Sequence, residues 1–474
     1  MRLFNNIYKI GILASMAGSL FLSSCEKDLP EALDTSGKTT VLESIKILNA
    51  GANGTTVMEG VVDEATKIVT FPRIEPTTDF SNLKFEAVVS DGATLIKDTY
   101  SVTFPEGKAE QVVVLKVVNE PRYREYIVKL RLKVPVFGAD FENKTTFDYS
   151  NNADGNPMYP TFTGAKTRGT GFDGEKVLII DRTDPHLLNV SDLKAGTINK
   201  IPLNTTGVSG GTFTLNMGAQ INGHTYIASL SGGATSPLKI YHWTDPSVAP
   251  QVILDVTTAG ISGAGIRNGD NMSVNLDAQG TGYIFFGDNA GTRTLRYDVT
   301  NYTTVNNPVT FPIPVAGAGS WTSYNRVGNS GDFIFTGHNA PVAVISEGGA
   351  PAYTMSKTSL PLRGSDARIV SFNAERYLIL TVATGPNDAT ALQVYDITRG
   401  SSVKEALAIL NDLPTITPVF QYVLAGATTG APSAQTGFFI KKDGSGNDDK
   451  LMLYAACTDA GFVIFEFGKK VAED

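Results

Sequence analysis

Cysteine is nearly absent from this chain. Cys25 and Cys457 are the only two among 474 residues, so no disulfide framework staples the fold. Histidine is almost as scarce. His186, His224, His242 and His338 make up the full set, and none falls in a His-x-x-x-His or His-Glu-x-x-His spacing, which argues against a dedicated zinc site. There is no basic run either. Acidic residues outnumber basic ones 47 to 39, and a nucleic-acid partner would require clustered Lys and Arg. A Walker-type phosphate loop is missing, as are long helical periodicities. What is plentiful is glycine, 47 residues, together with Thr, Asn and short alternating apolar runs, a composition that points to all-β structure.

The N-terminus reads as an address. Arg2 and Lys9 precede an apolar stretch from Ile10 to Leu22, of signal-peptide size and too short to remain as a membrane span. Leu22-Ser23-Ser24-Cys25 then resembles a bacterial lipobox. That resemblance implies a signal peptide over residues 1–24 and lipid on Cys25 as the first mature residue. Cleavage removes Arg2 and Lys9, leaving 37 of the 39 basic residues against 47 acidic ones, a formal charge of −10. Glu26, Lys27 and Asp28 open a tether over 25–39 and look like the surface-export signal of Bacteroidetes lipoproteins. The expected location is therefore the outer membrane, lipid-anchored and facing outward. Cys457 lies in the apolar run Leu451 to Cys457 and reads as a buried, inert thiol.

The remaining length exceeds what one hydrophobic core serves, so two domains are expected, over 40–135 and 139–474. In the first, Val128, Leu130, Leu132 and Val134 alternate with Lys129, Arg131 and Lys133, and Leu83 to Ala87 alternates likewise. Val57 to Val62 and Lys67 to Phe71 flank Asp63-Glu64-Ala65-Thr66, a hairpin signal. About seven short strands in this space suggest a β-sandwich of immunoglobulin-like type. Tyr123 and Tyr126 are expected to pack rather than bind.

Beyond Gly138 the chain repeats an apolar-x-apolar signature followed in most copies by Ser or Thr: Leu188-Asn-Val190, Tyr241-His-Trp243, Tyr297-Asp-Val299, Ala343-Val-Ile345, Tyr395-Asp-Ile397 and Phe465-Glu-Phe467. A second strand precedes each copy. Four strands per roughly 50 residues, repeated six times, is what a β-propeller requires. The last repeat has no room for an outer strand, so Phe141 to Tyr149 is expected to close the ring. Seven blades would follow if that segment and Tyr159 to Thr170 formed more than a closing strand.

Taken whole, this layout resembles uncharacterised Bacteroidetes outer-membrane lipoproteins that join an immunoglobulin-like domain to a propeller-like region, a domain-of-unknown-function family. The resemblance implies an accessory role beside a TonB-dependent, SusC/SusD-like nutrient transporter. It brings no catalytic residue.

Propeller geometry nominates a site. Loops between second and third strands and loops between blades open on one face. The first set carries Asp184 and His186, Asp288 and Asn289, His338 and Asn339, Asn387 and Asp388, and Thr458 and Asp459. The second carries Arg267 and Asp270, Trp321, and Arg363 and Asp366. Amides and carboxylates bond sugar hydroxyls and an aromatic face covers the ring, so a glycan is the first expectation. The arginines suit a uronic acid or a peptide carboxylate equally. An oligopeptide or a protein subunit of the transporter is the alternative ligand. A propeller hydrolase or lyase is the lesser one, with His186, His338 and Asp288 as acid–base candidates. Asp443, Ser445, Asn447 and Asp449 alternate as calcium ligands do, but a following glycine and a distal glutamate are missing, which favours a solvated hairpin. No cofactor is otherwise expected.

Overall fold

A computed structural model describes residues 37–105, 108–150, 159–356, 360, 364–383, 389–427 and 433–471. The signal segment and Cys25 lie outside the described residues. The chain divides into two compact units, one reaching Pro135 and one running from Val136 to Val471.

The first unit is all β. Tyr126, Val128 and Leu130 turn inward from the strand Arg122–Arg131 while Ile127 and Lys129 face out, the period-2 pattern of a half-buried strand. They pack with Ile45, Ile47, Val69, Phe71, Phe85, Leu115 and Val117. The hairpin at Asp63 forms as its sequence demands. The Asp63 carboxylate accepts from Ala65 and Thr66 N–H, and Lys67 takes a left-handed φ of 59°. The expected immunoglobulin-like sandwich is met only at the level of an all-β unit. Hydrogen bonds join eight strands in one series, a curled sheet, with Ile68–Thr70 running parallel to Arg122–Arg131 near its centre. Tyr126 is buried, its hydroxyl donating to Glu64, whereas Tyr123 is 61% exposed.

The second unit is a six-bladed β-propeller. Among the described residues six four-stranded antiparallel sheets follow in chain order, with no seventh blade. The inner strands are Thr167–Phe172, Phe213–Ile221, Ser273–Leu276, Thr322–Arg326, Gly364–Phe372 and Ala434–Lys442, and they number blades one to six. Each repeated signature lies at or just past the end of a third strand, and all twelve of its apolar positions are buried. The reason is geometric. Residues two apart on a strand share a face, so both apolar positions of a signature turn into one layer between neighbouring blades. The cluster of Met217, Tyr226, Ile240, Val274, Ile284, Phe286 and Tyr297 shows it, since it spans blades two and three. In blade five the helix Val403–Asn411 covers the gap before the outer strand. Ser402 caps it by accepting from Glu405 N–H, and Val403, Ala406, Leu407 and Leu410 turn inward. The ring closes where it was expected to. Ala139–Asp148 supplies the outer strand of blade six, pairing Val463 with Asp148 through Phe467 with Lys144.

Candidate functional site

Six inner strands leave six unpaired edges around the propeller axis, and buried backbone groups there must find partners. Polar side chains supply them from the preceding blade. Asn275 donates to Tyr324 carbonyl at 2.7 Å and accepts from Arg326 N–H at 2.7 Å. Asn325 donates to Ala367 carbonyl at 2.9 Å, and the Asp366 carboxylate accepts from Thr436 N–H at 2.6 Å. Gln435 accepts from Thr170 N–H. Asp366 is enclosed enough that burial pushes its carboxyl above the usual range. The inner strands of blades one and two come close enough for backbone to meet backbone. Gly171 lies so near Gln220 that a Cβ would sit 2.4 Å from its backbone nitrogen, and one at Gly218 would sit 2.5 Å from Ile180 Cδ1 of blade one. The ring encloses a channel cavity of about 340 Å³, lined by all six inner strands.

At one lip of this channel several expected residues meet. Arg267 pairs with Asp270 at 2.9 Å, and Asn289 donates to the same carboxylate at 2.8 Å. Asn289 N–H donates to Arg267 carbonyl, and Ser320 hydroxyl to Asn289 carbonyl. Trp321, half-buried and lining the channel, meets His338 edge-on at 5.3 Å, and His338 N–H donates to Trp321 carbonyl. Asn339 N–H donates to Ala318 carbonyl. Arg267, Asn289, Trp321, His338 and Asn339 thus share one rim.

Other expected residues are placed differently. Asp288 is buried and spends its carboxylate on Thr292 and Arg293 N–H and on Thr292 hydroxyl, so it builds its own turn. His186 is fully enclosed. Tyr159 hydroxyl lies 2.6 Å from its Nε2 and Asp184 carbonyl 2.6 Å from its Nδ1, leaving neither ring nitrogen for a ligand, and burial lowers its pKa. Arg363, Asn387 and Asp388 lie outside the described residues. Asp443 accepts from Ser445 and Asn447 N–H, both at 2.9 Å, as a hairpin turn does.

Sequence reading passed over three features. Gly207-Val208-Ser209-Gly210-Gly211 spells a nucleophile-elbow pattern. It sits in the connection from Lys200–Pro202 to the inner strand of blade two, with no helix after it, and Tyr241 hydroxyl bonds the Ser209 backbone. It is a clasped loop rather than an elbow. The inner-strand ring of amides and carboxylates was also missed, and so were Arg168 and Arg182 beside the rim. A polar residue inside an otherwise buried strand was the available signal for the ring.

On the side of the strand-one to strand-two turns, His224 Nδ1 lies 2.8 Å from His242 Nε2, with Tyr302 stacked on His224 at 3.7 Å. Burial, and then the charge of His224, pulls His242 down to about 4. Between that value and the ordinary 6.5, the unfolded chain binds a proton that the folded chain refuses. Stability should therefore fall as pH drops from about 6.5 toward 4 and level off below. Allowing for screening, His242 accounts for about 2 kcal/mol of that loss. Urea unfolding at pH 7.5 and 4.5 measures it. A His242→Gln variant should lose correspondingly less on acidification, and equal losses would refute the assignment.

Comparison with known proteins adds family membership. No curated protein matches the chain. The crystal structure of a DUF4623 family protein from Bacteroides eggerthii DSM 20697 is 42% identical, with a TM-score of 0.81, covering 92% of this chain and 100% of that one. A subtype N10 neuraminidase-like protein of A/little yellow-shouldered bat/Guatemala/060/2010 is 11% identical, with a TM-score of 0.35, over 64% of this chain and 94% of its own. BBS1N, from its complex with ARL6DN, is 12% identical, with a TM-score of 0.33, over 76% and 88%. Likeness at the level of the last two carries no functional argument. The model of the domain of unknown function DUF4623 matches residues 27–470, nearly the whole chain, and the protein belongs to that family.

Proposed function

We propose that this protein is a surface lipoprotein, anchored at Cys25, whose propeller captures a short glycan at the lip of its channel for an outer-membrane uptake system. One observation carries the reading. Trp321 lines a cavity of about 340 Å³ with its indole half-buried and its Nε1 without a hydrogen-bond partner, among amides and carboxylates that hydroxyls can bond. In this reading the N-terminal β unit, immunoglobulin-like in role if not in strand pairing, is a spacer between lipid and propeller.

Calorimetric titration against a panel of oligosaccharides tests the proposal. Trp321→Ala should weaken the best ligand about tenfold, since loss of an aromatic stacking partner costs on the order of 1 kcal/mol beyond lost area. Its melting temperature should stay within a degree or two of the parent. Uniform absence of binding across the panel would defeat the reading, and a large fall in melting temperature would make Trp321 structural.

A second reading is a protein-binding subunit of a SusC/SusD-like transporter. Exposed valines on the N-terminal sheet favour it, with Val61 73%, Val88 52% and Val112 52% exposed. Recovery of such a transporter pair with the tagged lipoprotein from solubilised outer membrane would support that reading, and recovery of the lipoprotein alone would oppose it.

A further inference from the structure

Below Trp321 the channel wall is stitched together at every junction between neighbouring blades. Asn216 donates to Gly269 carbonyl from blade two to blade three, Asn275 to Tyr324 carbonyl from three to four, and Asn325 to Ala367 carbonyl from four to five. Asp366 accepts from Thr436 N–H between five and six, and Gln435 from Thr170 N–H between six and one. Between one and two, Gly171 and Gln220 meet backbone to backbone. Among the described residues the wall therefore has no cleft through which a chain could be laid in sideways.

The cavity is also deep and narrow. Along blade six it runs from Ser433 to Phe439, and at about 3.3 Å per strand residue that is a depth of about 20 Å. Spread over such a depth, about 340 Å³ leaves a bore that passes a single sugar ring. Its two ends differ. Trp321 stands at the mouth, and Asn325, further along blade four, donates to the Asp366 carboxylate at 2.6 Å, which sets these two at one level. Arg368 lies beyond Asp366 on the same face of its strand, on the order of 15–20 Å below Trp321. Its side chain lines the bore, stays 33% exposed, and is steadied where Nε donates to Thr436 carbonyl at 2.6 Å and lies 3.9 Å from the Asp366 carboxylate.

We infer that the glycan enters this bore end-on, so that the protein takes the free end of an unbranched oligosaccharide and neither the middle of a polymer nor a branched sugar. This rests on the glycan reading above and narrows it to chain ends. A closed ring admits a polymer only by its terminus, and a branch point would meet the wall. Trp321 stacks on a unit near the mouth while Arg368 donates to hydroxyls of a unit further in. A ligand lying flat across the lip would touch Trp321 and never reach Arg368.

Calorimetric titration of the full chain with cellobiose, cellotetraose and cellohexaose, and with the malto-, xylo- and manno-series of the same lengths, tests it. In a series that binds, affinity should climb about tenfold from disaccharide to tetrasaccharide and change less than about twofold to the hexasaccharide, whose extra units protrude. The branched heptasaccharide of xyloglucan should bind no better than cellobiose. Arg368→Gln should weaken the tetrasaccharide about tenfold and leave the disaccharide unchanged, a contrast that a general loss of folding would not produce. If that variant folds poorly, the length series on the parent chain decides alone. Affinity that keeps rising to the hexasaccharide, a branched sugar bound as tightly as its linear counterpart, or a folded Arg368→Gln protein that binds the tetrasaccharide like the parent would overturn end-on entry and leave the glycan reading standing. Binding of none of the linear series would overturn end-on entry as well, and binding of no sugar in the wider panel would overturn both.

Discussion

Replacing Gly171 by valine should destabilise the propeller by about 3 kcal/mol or more and lower its melting temperature by on the order of 5 °C. The cause lies in the meeting of blades one and two. A Cβ at Gly171 would fall 2.4 Å from the backbone nitrogen of Gln220 and 2.9 Å from the carbonyl carbon of Ala219. Both are main-chain atoms held in a paired strand, so neither can swing aside as a side chain would. The two inner strands must separate, and the separation is transmitted to Gln435, which reaches both Thr170 N–H and Gly218 carbonyl. Gly233→Ala is the matched control, because a Cβ there meets nothing within 4 Å. Its effect should stay within about 0.5 kcal/mol. A Gly171→Val protein that melts with the parent would show that the blades are not packed backbone to backbone.

That contact illustrates what the sequence could and could not convey. The third strands were legible because their signature turns two apolar side chains into one buried layer, so Tyr241 and Trp243, or Tyr395 and Ile397, recur as apolar pairs roughly every 50 residues until the last blade. The closing strand was legible by counting, since the last repeat lacked an outer member. The bonds that join one inner strand to the next were not. Asn275, Asn325, Asp366 and Gln435 look like loop or surface residues in one dimension. Their partners lie in the next blade, 49 residues away for Asn275 and 70 for Asp366, and no local pattern encodes a bond of that range.

The rim shows the same division. Loop positions followed from blade order, so Arg267, Asn289, Trp321, His338 and Asn339 were brought to one place. Side-chain fates within those loops did not follow. His186 folds under Tyr159 and Asp288 turns back on its own hairpin, because a short loop satisfies its nearest N–H groups before any ligand. In the N-terminal unit, alternation reads alike in one curled sheet or two packed ones. The parallel pairing of Ile68 with Ile127, which joins the strands into a single series, is a long-range choice.

Phe467→Ala should cost about 4 kcal/mol, the largest effect expected of any side-chain truncation at the closure. Phe467 is fully buried, with ring centroids of Phe141 and Phe420 at 4.9 and 5.1 Å. Phe141 rides on the closing strand and Phe420 on the outer strand of blade five, so one ring ties the first strand of the propeller to its last two blades. Removing it leaves a cavity that the surrounding strands cannot collapse around, because hydrogen bonding fixes each of them. The loss should concentrate at the seam. Amide exchange across Ala139–Asp148 should quicken more than across Ser273–Leu276, on the opposite side of the ring. Phe141→Ala should overlap with Phe467→Ala rather than add to it, since the two rings touch. Val248→Ala, at a side chain 57% exposed, should change stability by no more than about 0.5 kcal/mol. If Phe467→Ala costs less than about 1 kcal/mol, or speeds exchange evenly around the ring, the seam is not what holds the propeller shut.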